Sequence, residues 1–186
     1  SEVGHMNLGA GRIIYQDLAK INLAVDDKSI GTGKALQDAF LYAKQNDKKV
    51  HFLGLVSDGG VHSHINHLLG LIDAAENFGL EKVFVHAFTD GRDVDPKSGI
   101  NFISQLNDHL KNTHAKLASV CGRYFAMDRD KRWERVKKSY DLLVNGLGIP
   151  SHDAIASIQE SYDNNVTDEF LEPFSIVDAD GKPTAQ

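Results

Sequence analysis

The sequence predicts an α/β protein, a mainly parallel sheet flanked by helices on both faces. Three observations predict it. Residues 50–56, 82–88 and 116–121 are short apolar runs rich in β-branched and aromatic residues, and each breaks into glycine with aspartate or arginine. Such runs read as strands buried on both faces. Amphipathic stretches lie between them, and the resulting alternation of strand and helix favours parallel strands joined by right-handed crossovers.

The helices follow in order. Residues 32–46 carry Leu36, Ala39, Phe40 and Ala43 at helical spacing, and 65–78 repeat the pattern with Leu68, Leu69, Ile72 and Ala75. Residues 99–112 offer Phe102, Ile103, Leu106 and Leu110, and 131–144 offer Trp133, Val136, Tyr140 and Leu143. Each spacing matches a helix that buries one face. Pro96 suits the first turn of the third helix, after Asp95. A last helix is expected over 153–162, with Ser151 or His152 near its start. Phe174-Ser175-Ile176-Val177 reads as a strand entering a turn, and no partner strand is expected for it before Gln186. No internal repeat and no low-complexity stretch interrupts this plan.

The 186 residues, 41% hydrophobic and 25% charged, suffice for one domain with a sizeable core. A net charge of −6 argues against a nucleic-acid or anionic-membrane surface. Any bound anion must then be held by a local cluster of cations. No apolar run is long enough to span a bilayer, and no basic and apolar leader opens the chain. The single Cys121 cannot close an internal disulfide, so a reducing, cytoplasmic compartment is expected.

In open parallel sheets, ligands bind beyond the carboxyl ends of the strands. The three runs place there Ser57-Asp58-Gly59-Gly60-Val61-His62-Ser63-His64, Asp90-Gly91-Arg92-Asp93, and Gly122-Arg123-Tyr124 followed by Met127-Asp128-Arg129-Asp130. The candidate site residues are His62, Arg92, Asp93, Arg123 and Arg129. Arginines around one cavity suit a carboxylate or phosphate, because guanidinium offers a planar fork of donors. An aspartate beside an arginine suits proton transfer at a hydroxyl, and a histidine can donate to an anion or shuttle a proton. The ligand so implied is a small, hydroxylated, multiply charged anion.

Plainer readings stand beside these. Ser57 to Gly60 suits a tight turn, although its glycines also permit close backbone approach to a ligand. Arg92 and Asp93 could form a surface pair, but neighbours on a short loop pair poorly with each other. Residues 128–135 read as a solvated helix start in which Arg129 faces the site and Lys131 and Arg132 face water. His62, His64 and His67 match no zinc spacing, and His64 and His67 are expected at a helix entry without metal. Cys121 is expected in the core. Gly31-Thr32-Gly33-Lys34-Ala35 lacks the glycine spacing of a phosphate loop.

Ser1-Glu2-Val3-Gly4-His5-Met6-Asn7-Leu8-Gly9-Ala10-Gly11-Arg12 closely resembles the nucleophile segment of the cofactor-independent phosphoglycerate mutases. The strand-end motifs, with Lys131-Arg132-Trp133, resemble that family's histidine loop, arginine-aspartate motif and remaining arginine motifs. Five motifs in the family's order thus span the chain. The resemblance implies interconversion of 3-phosphoglycerate and 2-phosphoglycerate, in glycolysis and gluconeogenesis, through a phosphoserine intermediate. It implies two domains, one resembling alkaline phosphatase and holding two manganese ions, and no need for 2,3-bisphosphoglycerate. By that likeness Ser1 is the nucleophile and a metal ligand, and Asp93 is the acid/base. His62, Arg92, Asp93, Arg123 and Arg129 would contact the substrate. Residues 1–15 would form the edge of the metal domain, and 16–186 the substrate-binding transferase domain, truncated at its C-terminal end. Most metal ligands, further phosphate-binding arginines and a lysine are missing. The segment alone is therefore expected to bind the glycerate part weakly and to lack activity. A monomer is expected, without nucleic-acid or membrane partners. Two other readings stay open: a non-enzymatic domain that binds small anions, and a hydrolase using Ser1 with its own amine as base. Such hydrolases usually build antiparallel sheets, which the alternation here does not suggest.

Overall fold

The computed structural model describes residues 2–185. Helices α1 (Glu2–Ala10) and α2 (Asp17–Asp26) lead through a 3-10 turn at Ser29–Thr32 into α3 (Lys34–Gln45). Then follow β1 (Val50–Leu55), α4 (Ile65–Phe78), β2 (Val83–Thr89), α5 (Gly99–Leu110) and β3 (Lys116–Gly122). The chain continues through a short α6 (Arg123–Ala126), α7 (Trp133–Asn145), β4 (Ile149–Ser151) and α8 (Ala154–Asp163), and a 3-10 turn at Asp168–Phe170 leads to β5 (Phe174–Ile176). The sheet order is β1-β2-β3-β5-β4. All pairs are parallel except β3 with β5. The architecture is the mainly parallel α/β sheet that the alternation predicts. Among the described residues, no helix is long and apolar enough to cross a membrane.

Successive strand residues point to opposite faces, and the two faces are covered unequally. On one face, Val83, Val85 and Ala87 of β2 join Leu117 and Val120 of β3 beneath Phe40, Ile72, Ile103, Leu106 and Ile158 from α3, α4, α5 and α8. On the other, Leu55, Phe88 and Cys121 pack only against α6 and α7, through Phe125 and Leu142. Burial of these apolar side chains, at roughly 25 cal/mol per Å², is the main drive for the assembly.

The structure departs from the sequence reading in four places. The strand at Phe174–Ile176 does find partners: it lies antiparallel to β3 and parallel to β4. β4 is three residues with a proline, too short for a periodic signal and tolerable at a sheet edge. Along α7 the buried line runs through Ser139 and Leu142, while Trp133 is 70% and Tyr140 58% exposed. The second core is built from few side chains, and Ser139 is small enough to be buried over it. Finally, α5 opens at Gly99 with Ser98 at its cap, so Pro96 lies before the first turn, where its carbonyl accepts the Asp168 amide at 2.9 Å. Helix α2 had no strong apolar stripe to announce it, and none of its residues is buried.

The return from α8 to β5 threads across the ends of β2 and β3. Asp168 is fully buried, and its carboxylate accepts the Gly99 amide at 2.7 Å and the Tyr162 hydroxyl. Thr89 Oγ1 donates to the Asp168 carbonyl at 2.7 Å, and the Gly122 amide to the Leu171 carbonyl at 2.9 Å. Burial pushes the Asp168 carboxyl above the usual carboxylate range, although the Tyr162 hydroxyl and the Gly99 amide pull the other way. Position 122 must be glycine because a Cβ there would run into the Glu169 carbonyl oxygen.

Two predictions follow from this packing. Gly122→Ala is expected to cost about 1–3 kcal/mol through overpacking, read as a lower urea midpoint at unchanged m-value. The second concerns His86, which is 5% exposed on β2 and sits between His51 Nδ1 at 2.9 Å and Ser119 Oγ at 2.8 Å. Burial first, then the neighbouring His51, pushes it down to about 4 from 6.5. The unfolded chain therefore takes up this proton before the folded one does. The corresponding stability is fully present above pH 6.5 and is lost as pH falls toward about 4. Urea titrations across that window should show a loss of up to about 3 kcal/mol from this group, and a shallower loss in His86→Gln.

Candidate active site

β1, β2 and β3 run parallel and end together, with Leu55 opposite Phe88 and Thr89 opposite Gly122. The loops that leave them must therefore share one edge of the sheet. Asp90, the first residue after β2, is 1% exposed. Its Oδ1 accepts the amides of Arg92 at 3.1 Å and Asp93 at 3.0 Å, closing a tight turn in which Gly91 takes φ 68°. The same oxygen accepts Arg123 Nη1 at 2.6 Å, and Oδ2 accepts the Ser57 hydroxyl at 2.7 Å. One carboxylate thus ties together the loops after β1 and β2 and the helix start after β3. Burial alone would favour its neutral form. The Asp93 amide, the Ser57 hydroxyl, the Arg123 guanidinium and the Arg92 amide outweigh that and hold it below the usual carboxylate range.

Arg123 opens α6 and is itself buried. Its Nη1 donates to Asp93 Oδ2 at 2.7 Å as well as to Asp90, so one nitrogen bridges two carboxylates. Burial works against the charged guanidinium, but Asp93 and Asp90 overcome it and raise its pKa above the ordinary arginine value. His62 Nε2 lies 3.7 Å from Asp93 Oδ2. Arg92 Nε lies 3.7 Å from Glu169 Oε1, a carboxylate carried in by the Asp168–Phe170 turn. Arg135 donates to Asp128 at 3.2 Å and stacks 3.9 Å above the Tyr124 ring.

His62, Arg92, Asp93, Arg123 and Arg129 line one cavity of about 440 Å³. All five residues singled out in the strand-end motifs are thus brought together, while Lys131 and Arg132 stay exposed outside it. Ser1 lies outside the described residues. A larger cavity of about 780 Å³ lies between α2, α4 and the Ser29–Thr32 turn, but it gathers none of the strand-end loops. Convergent charge, more than volume, marks the smaller one.

The arginines of this cavity are mostly paired within the protein. Arg92, Arg123 and Arg135 each face a carboxylate, and among the described residues Arg129 forms no ion pair. Sequence reasoning overlooked Asp90, Ser57, Arg135 and Glu169. For Asp90 a signal existed: an aspartate at a strand end, two and three residues before amides that a turn must satisfy. Glu169 carries none, being brought to Arg92 from far along the chain.

Among the described residues, no three of His, Cys, Asp or Glu come together to hold a metal ion. His64 caps α4 by accepting the Asn66 amide at 3.2 Å, and His67 Nε2 meets Asn22 Oδ1 at 2.6 Å. Cys121 is fully buried, and burial first, with Glu172 next, pushes its thiol up to about 12. A thiol so placed is a core residue and a poor nucleophile.

Residues 21–186 match the family model described as "BPG-independent PGAM N-terminus (iPGM_N)". The 2,3-bisphosphoglycerate-independent phosphoglycerate mutase of Flavobacterium psychrophilum is 69% identical over 185 residues, covering 100% of this chain and 37% of its own length. That of Bacteroides fragilis is 58% identical over 181 residues, covering 97% of this chain and 36% of its own. A crystal structure of Leishmania mexicana phosphoglycerate mutase at low cobalt concentration superposes with a TM-score of 0.85 at 32% identity, over 95% of this chain and 34% of that one. The chain spans just over a third of the length of these relatives. It belongs to the BPG-independent phosphoglycerate mutase family, matching the model of that family's N-terminus.

Proposed function

We propose that this chain is the substrate-binding part of an enzyme that interconverts 3-phosphoglycerate and 2-phosphoglycerate, with the arginine-lined cavity holding the glycerate part. The carrying observation is the convergence of Asp93, His62, Arg92, Arg123 and Arg129 on one cavity beyond three parallel strands. Arg129, with no ion pair among the described residues, takes the glycerate carboxylate. Arg92 is held only loosely by Glu169 and can turn to the ligand. Asp93, oriented by Arg123 and within reach of His62, serves the hydroxyls. It gives a proton to O3 as the phosphoryl group leaves for Ser1, then takes one from O2 as that oxygen attacks the phosphoserine. Over the cycle the carboxyl returns to its starting state. The arginines keep the intermediate glycerate from escaping while it reorients.

Two manganese ions held by the metal-bearing domain, with Ser1 among their ligands, would supply the activation that a serine hydroxyl needs at neutral pH. The described residues offer no group for them, so no step above runs through a metal. Residues 1–15 form the edge of that domain and 16–186 the transferase domain. In keeping with this, Leu8 is 82% exposed and Ile13 and Tyr15 are also uncovered. The relatives are named as independent of 2,3-bisphosphoglycerate, and the same independence is proposed here. A cytoplasmic monomer without nucleic-acid or membrane partners fits the net charge of −6.

The full-length protein carrying this segment is expected to interconvert the two phosphoglycerates with manganese and without 2,3-bisphosphoglycerate. Asp93→Asn should lower kcat by roughly 10²–10⁴-fold, the usual worth of general acid–base catalysis, with little change in Tm. Arg92→Ala should weaken 3-phosphoglycerate binding about tenfold or more by calorimetry, through loss of a charge-assisted contact. Unchanged affinity in that variant would remove this cavity from the reaction. Binding without turnover in the full-length protein would favour a non-enzymatic anion-binding domain. The isolated segment should bind weakly and show no turnover, and an appreciable metal-independent rate from it would overturn the division of labour.

A further inference from the structure

We infer that Asp90 is the positioning residue of this site, acting through Arg123 and the Arg92–Asp93 turn without touching the ligand. The inference rests on the proposed mutase reading for what is positioned, and on the geometry for how. Asp90 is 1% exposed and is not among the residues lining the cavity, so it cannot meet a bound anion directly. A plain turn after β2 explains only two of its four contacts, the amides of Arg92 and Asp93 at 3.1 and 3.0 Å. The other two reach out of the turn: Ser57 Oγ from the histidine loop at 2.7 Å, and Arg123 Nη1 from α6 at 2.6 Å. Neither is needed to end a strand.

The sharing of Arg123 Nη1 is the central feature. The nitrogen sits between Asp90 Oδ1 at 2.6 Å and Asp93 Oδ2 at 2.7 Å. Asp90 is anchored to the end of β2, so the guanidinium is referenced to the sheet, and Asp93 is referenced to the guanidinium. The acid/base oxygen is thus placed at both ends: its backbone amide by Asp90, its carboxylate through Arg123. Sites of this kind must be held to within about 0.5 Å, and a misplacement of about 1 Å can cost roughly 10²-fold in rate.

The test uses the full-length protein carrying this segment. Asp90→Ala should lower kcat about 100-fold while KM for 3-phosphoglycerate changes less than about fivefold. Asp90→Asn keeps an oxygen able to accept from Arg123 and both amides, and should recover kcat to within about tenfold of the parent. Combining Asp90→Asn with Arg123→Lys should cost little beyond Arg123→Lys alone, because both act on one contact. Independent, multiplying losses would overturn the inference, as would a full kcat in Asp90→Ala. If the alanine variant does not fold, the asparagine cycle still decides. A readout free of activity completes the design: the Arg123 guanidinium N–H resonances in selectively labelled protein should be sharp and slow to exchange, should broaden strongly in Asp90→Ala, and should broaden only in part in Asp90→Asn. An unaltered resonance in both variants would show that Asp90 does not hold Arg123. Failure of the mutase reading is seen separately, as no activity in the parent protein or full activity in Asp93→Asn, and the resonance then still judges Asp90.

Discussion

A buried guanidinium–carboxylate contact, Arg123 Nη1 to Asp90 Oδ1 at 2.6 Å, joins the ends of β2 and β3 and holds together the loops at that edge. Removing two such ions from water costs several kcal/mol apiece, and their attraction repays it only when the remaining donors and acceptors are also filled. Here they are. Asp90 takes four donors, Arg123 serves two carboxylates, and among the described residues no buried side-chain nitrogen or oxygen lacks a partner. Arg123 is the common member, and its loss would leave two carboxylates without their shared cation in a low-dielectric place.

That contact can form only because the backbone delivers its members. Parallel pairing makes three strands end together, so loops far apart in sequence leave from neighbouring points. Gly91, at φ 68°, lets the chain turn tightly enough for one oxygen to take two successive amides. The Asp168–Phe170 turn then crosses beneath, fastened by the Asp168 carboxylate and by the close approach of Gly122. The turn that closes the fold also supplies Glu169 to the cavity.

The cavity is electrostatically balanced before any ligand arrives. In a chain of net charge −6, arginines would be expected to find carboxylates, and most here have done so. An incoming anion therefore exchanges one partner for another. Such exchange is least costly where the resident contact is long, as for Arg92 and Glu169 at 3.7 Å. It is most costly where the arginine is also stacked, as Arg135 is over Tyr124. Ion pairs elsewhere, such as Lys20 with Asp17 and Lys34 with Asp38, are solvated and contribute little.

Read by itself, the sequence determined the strands 50–56, 82–88 and 116–121, the helices between them and the parallel sense of the sheet. Local periodicity and glycine–aspartate breaks carry that information without knowledge of neighbours. It also brought out His62, Arg92, Asp93, Arg123 and Arg129, because strand-end loops of a parallel sheet must share an edge. Tertiary structure alone decided which way α7 turned, leaving Trp133 exposed and Ser139 buried, since the shape of the second core selects the face. It decided that the strand at Phe174–Ile176 pairs with β3 and β4, and that Glu169 meets Arg92. It also gave Asp90 its four partners. Contacts between residues thirty to eighty positions apart leave no periodic trace in a single chain, and only the folded backbone brings them within hydrogen-bonding distance.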